Sequence, residues 1–261
     1  MKFSDETVTI TARERLSLGC ESMKRMLVGL LDSKGRVAEE VHAIRKLGKS
    51  LRGGFSLFRL EKTSATEIQA IGRLLSEPRN AVSRHSTWKK LAWNGDPQLA
   101  AAIGLLLEQQ THSAARRPPQ ETIDWCLARV VAASGSLSEL PGDNLPEIVA
   151  KGLRKLERRA RKRLARLDRL SEQEFHEARK ALKAWLGAVD FLPEGTDAID
   201  PRFHELAELL GDENDLTTLS LWLEEHGFTP RFAADLWKTL EQARAGIQRE
   251  VRKDIGKLAA R

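Results

Sequence analysis

A nine-residue block occurs twice in this chain, 134 positions apart. Val41-His42-Ala43-Ile44-Arg45-Lys46-Leu47-Gly48-Lys49 returns as Phe175-His176-Glu177-Ala178-Arg179-Lys180-Ala181-Leu182-Lys183, with the His, Arg and both Lys coinciding. The same offset pairs Lys24 with Arg158 and Gly53 with Gly187. At an offset of 135, Leu74-Leu75-Ser76-Glu77-Pro78-Arg79-Asn80 aligns with Leu209-Leu210-Gly211-Asp212-Glu213-Asn214-Asp215, and one inserted loop residue accounts for the shift. A repeat of this length means that one arrangement of elements is built twice. Two breaks, Arg116-Arg117-Pro118-Pro119 and Ser134-Gly135 through Pro141-Gly142, punctuate the middle of the chain. The repeats run over about 11–138 and 145–258, within a single domain spanning 11–258.

The repeated elements are helical. Thr11-x-x-Glu14, Ser64-x-x-Glu67 and Ser171-x-x-Glu174 read as capping boxes, and Asp96-Pro97 and Asp200-Pro201 place Pro just after an N-cap Asp. No run of strand period appears. Tyr is absent and Phe numbers 8, a composition that favours helix over sheet. The periodicity predicts helices over 11–31, 36–60, 65–76, 79–92, 97–112, 120–134, 146–169, 172–191, 201–210, 214–226 and 230–258. The expected fold is all-α: two four-helix-bundle-like halves related by a pseudo-two-fold.

Charge is segregated. The net charge of +6 conceals ten basic residues against Glu157 and Asp168 between Lys151 and Arg169, and five against no acid between Val41 and Leu60. Leu192 to His226 runs the other way, with ten acids against Arg202. His42, Arg45, Lys46 and Lys49 stand at i, i+3, i+4 and i+7, so they share a helix face, and His176, Arg179, Lys180 and Lys183 do the same. Arg52 adds a turn to the first stripe, whereas its counterpart is Leu186. The preceding helix of the second half contributes Arg154, Arg158, Arg161 and Lys162 at helical spacing, and Arg79 flanks the turn of the first half. Like charges on one stripe repel, so building the stripe twice points to an anion that relieves the repulsion. Arg forks onto phosphate oxygens and Lys acts as a point charge. Asp212, Glu213 and Asp215 are the acids within reach, and an internal salt-bridge network is the competing reading.

At these residues the sequence resembles the conserved histidine α-helical domain, CHAD. That family carries a His-x-x-Arg-x-x-x-(Lys/Arg) helix in each of two helical halves, followed by a Leu-Gly-x-x-Arg/Asn-Asp-like turn. The resemblance covers about residues 11 to 258. It departs at Ser76, which replaces Gly, at Asn80, which replaces Asp, and at Trp185-Leu186 closing the second stripe. It implies two four-helix bundles related by pseudo-two-fold symmetry and binding of inorganic polyphosphate, commonly at polyphosphate granules. The Glu-x-Glu-x-Lys signature of the triphosphate-tunnel enzymes often fused to the family is missing. The expected protein is a non-enzymatic, stand-alone binder without cofactor or metal, its groove floored mainly by 151–166.

Other readings compete. Any phosphate polymer suits a basic groove, so RNA or DNA is the alternative partner, although no recognition helix, zinc finger or RNA-binding signature accompanies the stripes. A histidine phosphotransfer module also places a His on a four-helix bundle, but a phosphoacceptor gains nothing from a long cationic stripe. A metal at His42 and His176 would be repelled by the neighbouring Arg and Lys. His85, His112, His204 and His226 are expected at the surface or at caps, and Trp88, Trp125, Trp185, Trp222 and Trp237 in the core. Cys20 and Cys126 read as reduced core thiols. No apolar stretch approaches the roughly 20 residues of a membrane span, and Met-Lys-Phe-Ser-Asp-Glu lacks a secretory core. The cytoplasm is the expected location.

Overall fold

A computed structural model describes residues 6–33, 36–114, 116–140, 144–167, 172–193 and 199–259. Among these residues the chain is all-α, with α1 Glu6–Gly29, α2 Val37–Leu57, α3 Ser64–Leu74, α4 Ser76–Leu91, α5 Pro97–Ala114, α6 Gln120–Ser138, α7 Leu145–Leu164, α8 Glu172–Val189, α9 Arg202–Glu225 and α10 Ala234–Ala259. A short 3-10 turn, Leu30–Asp32, follows α1. No helix is long and apolar enough to cross a membrane.

Most expected elements are present, and the differences have local causes. Helices expected over 201–210 and 214–226 are one helix, α9. The first repeat does break at the equivalent place, between α3 and α4, because Pro78 is tolerated only in a first helical turn. Its counterpart is Glu213, which donates normally and lets α9 continue. Thr11 does not cap α1. The helix begins at Glu6, and buried Thr9 carries the inward stripe of Ala12, Leu16, Cys20, Met23 and Leu27 back by a turn. Ser64 does not cap either: it is the buried first residue of α3, and the N-cap, Thr63, makes no side-chain capping bond. Asp96 does cap α5, its Oδ1 accepting from the amides of Gln98 at 2.8 Å and Leu99 at 3.2 Å. α6 runs through Ser134-Gly135 to Ser138. Ser171 and Pro141-Gly142 lie outside the described residues.

The chain forms two compact units, each drawing segments from both sequence repeats. The first contains Met1–Ser76, Arg116–Lys162 and Lys180–Asp200. Here α1 packs on α2 and α6, and α3 on α2 and α6. Its interior includes Leu16, Cys20, Leu27, Ile44, Leu51, Phe55, Ile68, Cys126 and Val130. Burial pushes the Cys20 thiol up to about 12 and the Cys126 thiol up to about 11, so both stay protonated and unreactive.

Within this unit α2 is approached closely from two sides. A Cβ on Gly53 would lie 2.5 Å from the Ala184 carbonyl oxygen of α8, and one on Gly187 would lie 2.8 Å from the Ser50 Cα. A Cβ on Gly152 of α7 would clash with the backbone oxygen of Leu57. Only glycine permits these approaches. The Ser50 hydroxyl donates to Asp190 Oδ2 at 2.8 Å beside the α2–α8 crossing.

The second unit contains Glu77–Ala115, Arg163–Arg179 and Pro201–Arg261. Its core gathers Ile103 and Leu107 of α5, Leu216, Leu219, Trp222 and Leu223 of α9, and Leu236 and Leu240 of α10, with Trp88, Trp93 and Trp237 packed against them. Trp185 is buried in the first unit. Trp125 departs from the core expectation: it is 39% exposed, with the Arg129 guanidinium 4.3 Å above its ring.

Candidate anion-binding site

The two stripes are repeated in exposure as well as in sequence. On α2, His42 and Lys46 are exposed and Arg45 and Lys49 half-buried; on α8, His176 and Lys180 are exposed and Arg179 and Lys183 half-buried. Each stripe flanks a buried row, Val41, Ile44, Gly48 and Leu51 on α2, and Phe175, Ala178, Leu182 and Trp185 on α8. That row anchors the helix and fixes which face the cations occupy.

The paired arginines are held differently. Arg45 Nη1 donates to the Gly72 carbonyl in the last turn of α3, where helix-end oxygens lack intrahelical partners and the dipole favours a cation. That end exists because the chain breaks before Pro78. In the second half the helix continues, and Arg179 has a carboxylate for company. Burial lowers the Arg179 pKa and the nearby charge of Arg79 lowers it further, against the opposite pull of Asp215 and Glu213. Arg79 grips Asp215 with both nitrogens, at 3.0 and 3.2 Å. Burial alone would raise the Asp215 carboxyl, but hydrogen bonds from Arg79 and the Ser83 hydroxyl and the charge of Arg179 hold it below its ordinary value. His176 Nδ1–H donates to Asn214 Oδ1 at 3.1 Å, directing Nε2 away from that contact.

The other acids and bases are accounted for as follows. Asp212 lies 3.9 Å from Lys90. Buried Glu213 accepts from Arg244 of α10 at 3.0 Å, which neutralises that cation. Arg84, another cation near the turn, is buried against Glu77 at 2.5 Å and Gln110 at 3.0 Å. The internal network expected of the nearby acids therefore engages Arg79, Arg179 and Arg244 in the second unit.

The first unit holds the remaining predicted cations: His42, Arg45, Lys46, Lys49, Arg52, Arg154, Arg158, Arg161, Lys162, Lys180 and Lys183. On α7 the buried row Val149, Leu153, Leu156 and Ala160 leaves Arg154, Arg158, Arg161 and Lys162 exposed. Arg161 is held by Glu157 at 2.8 Å and lies 5.6 Å from the Trp185 ring centre. Lys155 reaches Glu61 at 2.7 Å. Arg158 and Lys162 have no ion-pair partner among the described residues. Arg73, not singled out in the sequence, lies close enough to Arg52 for its charge to be felt there. Its only signal was its place in the last turn before the break.

The CHAD domain family model matches residues 25–224. The chain belongs to the CHAD domain family. Two solved structures share its fold: a crystal structure of the CHAD domain from the plant Ricinus communis and PptA from Streptomyces chartreusis. The Ricinus domain is 19% identical, with a TM-score of 0.66 over 95% of this chain and 91% of that one. PptA is 15% identical, with a TM-score of 0.65 over 97% of this chain and 99% of that one. A search of curated proteins finds no match. The His-x-x-Arg-x-x-x-Lys stripes of α2 and α8 both lie within the matched residues, as do the break between α3 and α4 and its helical counterpart in α9.

Proposed function

We propose that this CHAD protein binds inorganic polyphosphate along the cationic faces of α2, α7 and α8, and does not turn it over. The observation that carries this reading is the duplicated stripe: the same four residue types, with the same pattern of exposure, on two helices that cross at Gly53 and Gly187. Rows of like charge built twice on crossing helices, with His42, Lys46, His176 and Lys180 exposed, create a positive field that suits a polyanion. Exposed Arg158 and Lys162, without acid partners among the described residues, enlarge the same positive field.

A binding role also suits the acids. Asp215, whose charge acts on Arg179, is clamped by Arg79 and held in its charged form, which makes it a positioning group rather than a proton shuttle. Asp212 stands apart beside Lys90. The family resemblance adds polyphosphate as the expected polymer, and granules as a place where such a binder would collect.

Labelled polyphosphate should be challenged with unlabelled polyphosphate, RNA and DNA at one fixed salt. Polyphosphate is expected to compete best per phosphate. Equal or better competition by nucleic acid would replace this reading with a general phosphate-backbone binder. Release of orthophosphate by the wild type, lost in Asp212→Asn or Asp215→Asn, would overturn the non-catalytic assignment.

A further inference from the structure

His176 opens the second stripe and is exposed on α8. Its Nδ1 lies 3.1 Å from Asn214 Oδ1 on α9. An amide oxygen only accepts, so the single proton of a neutral imidazole sits on Nδ1 and Nε2 keeps a bare lone pair. Asn214 stands between two carboxylates, Glu213 and Asp215, but neighbours in sequence do not face each other on a helix. Glu213 accepts from Arg244 of α10 at 3.0 Å, and Asp215 accepts from Arg79 of α4 at 3.0 and 3.2 Å. Asp212 lies 3.9 Å from Lys90. On α8 itself, Glu177 lies 3.9 Å from Arg163 of α7, and Arg179 and Lys180 form the next turn of the stripe. The group bonded to Nδ1 is therefore neutral, and the carboxylates beside it on α9 are engaged by arginines. A neutral partner does not fix the charge of the ring, as a carboxylate would.

We propose that Asn214 is the positioning residue of His176 and makes polyphosphate binding take up a proton at Nε2. This rests on the polyphosphate reading above. The phosphate oxygens of the chain are acceptors, and so is an unprotonated Nε2. The two repel unless a proton comes between them. Nδ1–H cannot serve, because it is spent on Asn214. The ring must bind a proton from solvent. The Nε2 lone pair forms the new N–H bond, the imidazolium keeps Nδ1–H on Asn214 Oδ1, and Nε2–H donates to a phosphate oxygen. The polyanion stabilises the positive charge so gained. Affinity should then rise as pH falls through the range in which imidazole titrates, while the Arg and Lys of the stripes keep their charge. The interior phosphates of a long chain are strongly acidic and stay ionised throughout.

The test counts protons. Long-chain polyphosphate is titrated calorimetrically into the protein at about pH 7.5, where an ordinary imidazole is mostly neutral, in buffers of different ionisation enthalpy. The wild type should take up more protons than His176→Gln by about half a proton, because the glutamine amide donates without titrating. His42 is present in both and cancels. Asn214→Ala frees Nδ1, so the ring can place its one proton on Nε2 and donate while neutral. Its proton uptake should fall toward that of His176→Gln, and its affinity at about pH 8 should not drop below wild type. A merely structural Asn214 would instead weaken binding and leave the proton count unchanged. Alanine suits a helix better than asparagine, and circular dichroism accompanies the variants. Ring-nitrogen NMR shifts of wild-type His176 give a reading that needs no variant fold: at about pH 8 a proton on Nδ1 alone in the free protein, and on both nitrogens in the complex. If the long chain binds but wild type and His176→Gln take up equal numbers of protons, or Asn214→Ala keeps the wild-type uptake, or the free ring carries its proton on Nε2, the proposal is wrong and the polyphosphate reading stands. If long-chain polyphosphate does not bind at all, that reading fails and the proposal with it.

Discussion

Gly53 and Gly187, which occupy equivalent places in the sequence repeat, face each other's helices where α2 crosses α8. The crossing is backbone against backbone. An added Cβ on Gly53 would meet the Ala184 oxygen and the Ala188 nitrogen, both at 2.5 Å, and neither can swing aside as a side chain would. This approach sets the spacing between the two helices that carry the repeated cations.

Gly53→Ala is therefore expected to destabilise the protein by about 1–3 kcal/mol, the usual cost of overpacking, despite alanine's better helix propensity. Gly135→Ala on α6 is the matched control, because nothing lies within 4 Å of its added Cβ. That change should stabilise by roughly 0.5–1 kcal/mol. Urea midpoints of the two variants should move in opposite directions, and movement in the same direction would contradict the crossing.

Arg59 ends α2 in the left-handed region, at φ 61°, with its amide bonded to the Ser56 oxygen and the Leu60 amide bonded to the Phe55 oxygen. This helix-ending arrangement usually employs glycine. An L-residue there costs roughly 1 kcal/mol. Arg59→Gly should raise the urea midpoint by an amount equivalent to about that energy, and an unchanged or lower midpoint would show that the arginine side chain stabilises the turn.

Asp215 gives stability a pH dependence of known sign. Its folded pKa lies below the ordinary carboxylate value of 3.8, so its stabilisation is complete above that value and lost as pH falls through the lower, folded one. Asp215→Asn should flatten the loss of stability below about pH 4 and lower stability at neutral pH. Arg79→Ala leaves the carboxylate with Ser83 and Arg179 and should cost roughly 1–3 kcal/mol. Thermal melts from neutral pH to about pH 3 check both, and an acid slope identical to wild type in Asp215→Asn would remove Asp215 from the account.

How much of this was legible depends on whether the signal was local. The stripes were readable because helical spacing puts His42, Arg45, Lys46 and Lys49 on one face whatever surrounds them. The outward or half-buried setting of each followed from the apolar row beside it. The partner of Arg45 was not readable, since it is a backbone carbonyl that any sequence would supply. The uninterrupted α9 was in principle readable, because Pro78, which cannot sit in a helix interior, has Glu213 as its counterpart, but the turn-like run Gly211-Asp212-Glu213-Asn214-Asp215 outweighed it. The division of Arg84 and Arg244 from the solvent-facing cations was hidden because it depends on Glu77, Gln110 and Glu213 folding back from other turns and helices.

The α7 face offers the cleanest separation of binding from stability. Arg158 and Lys162 are exposed, sit one turn apart, and have no ion-pair partner among the described residues, while the same helix is anchored by Leu153, Leu156 and Ala160. Removing their charges should leave the urea midpoint within about 0.5 kcal/mol of wild type. If polyphosphate is bound electrostatically, each lost phosphate contact also releases fewer counterions. The plot of log affinity against log salt should then become shallower by about 0.7 per contact in the double variant Arg158→Gln/Lys162→Gln, taking a flexible single-stranded polyanion as the guide. Affinity should fall most at low salt and converge on wild type as salt rises. A slope unchanged from wild type, with the fold intact, would take α7 out of the binding surface and leave the stripes of α2 and α8 to account for it alone.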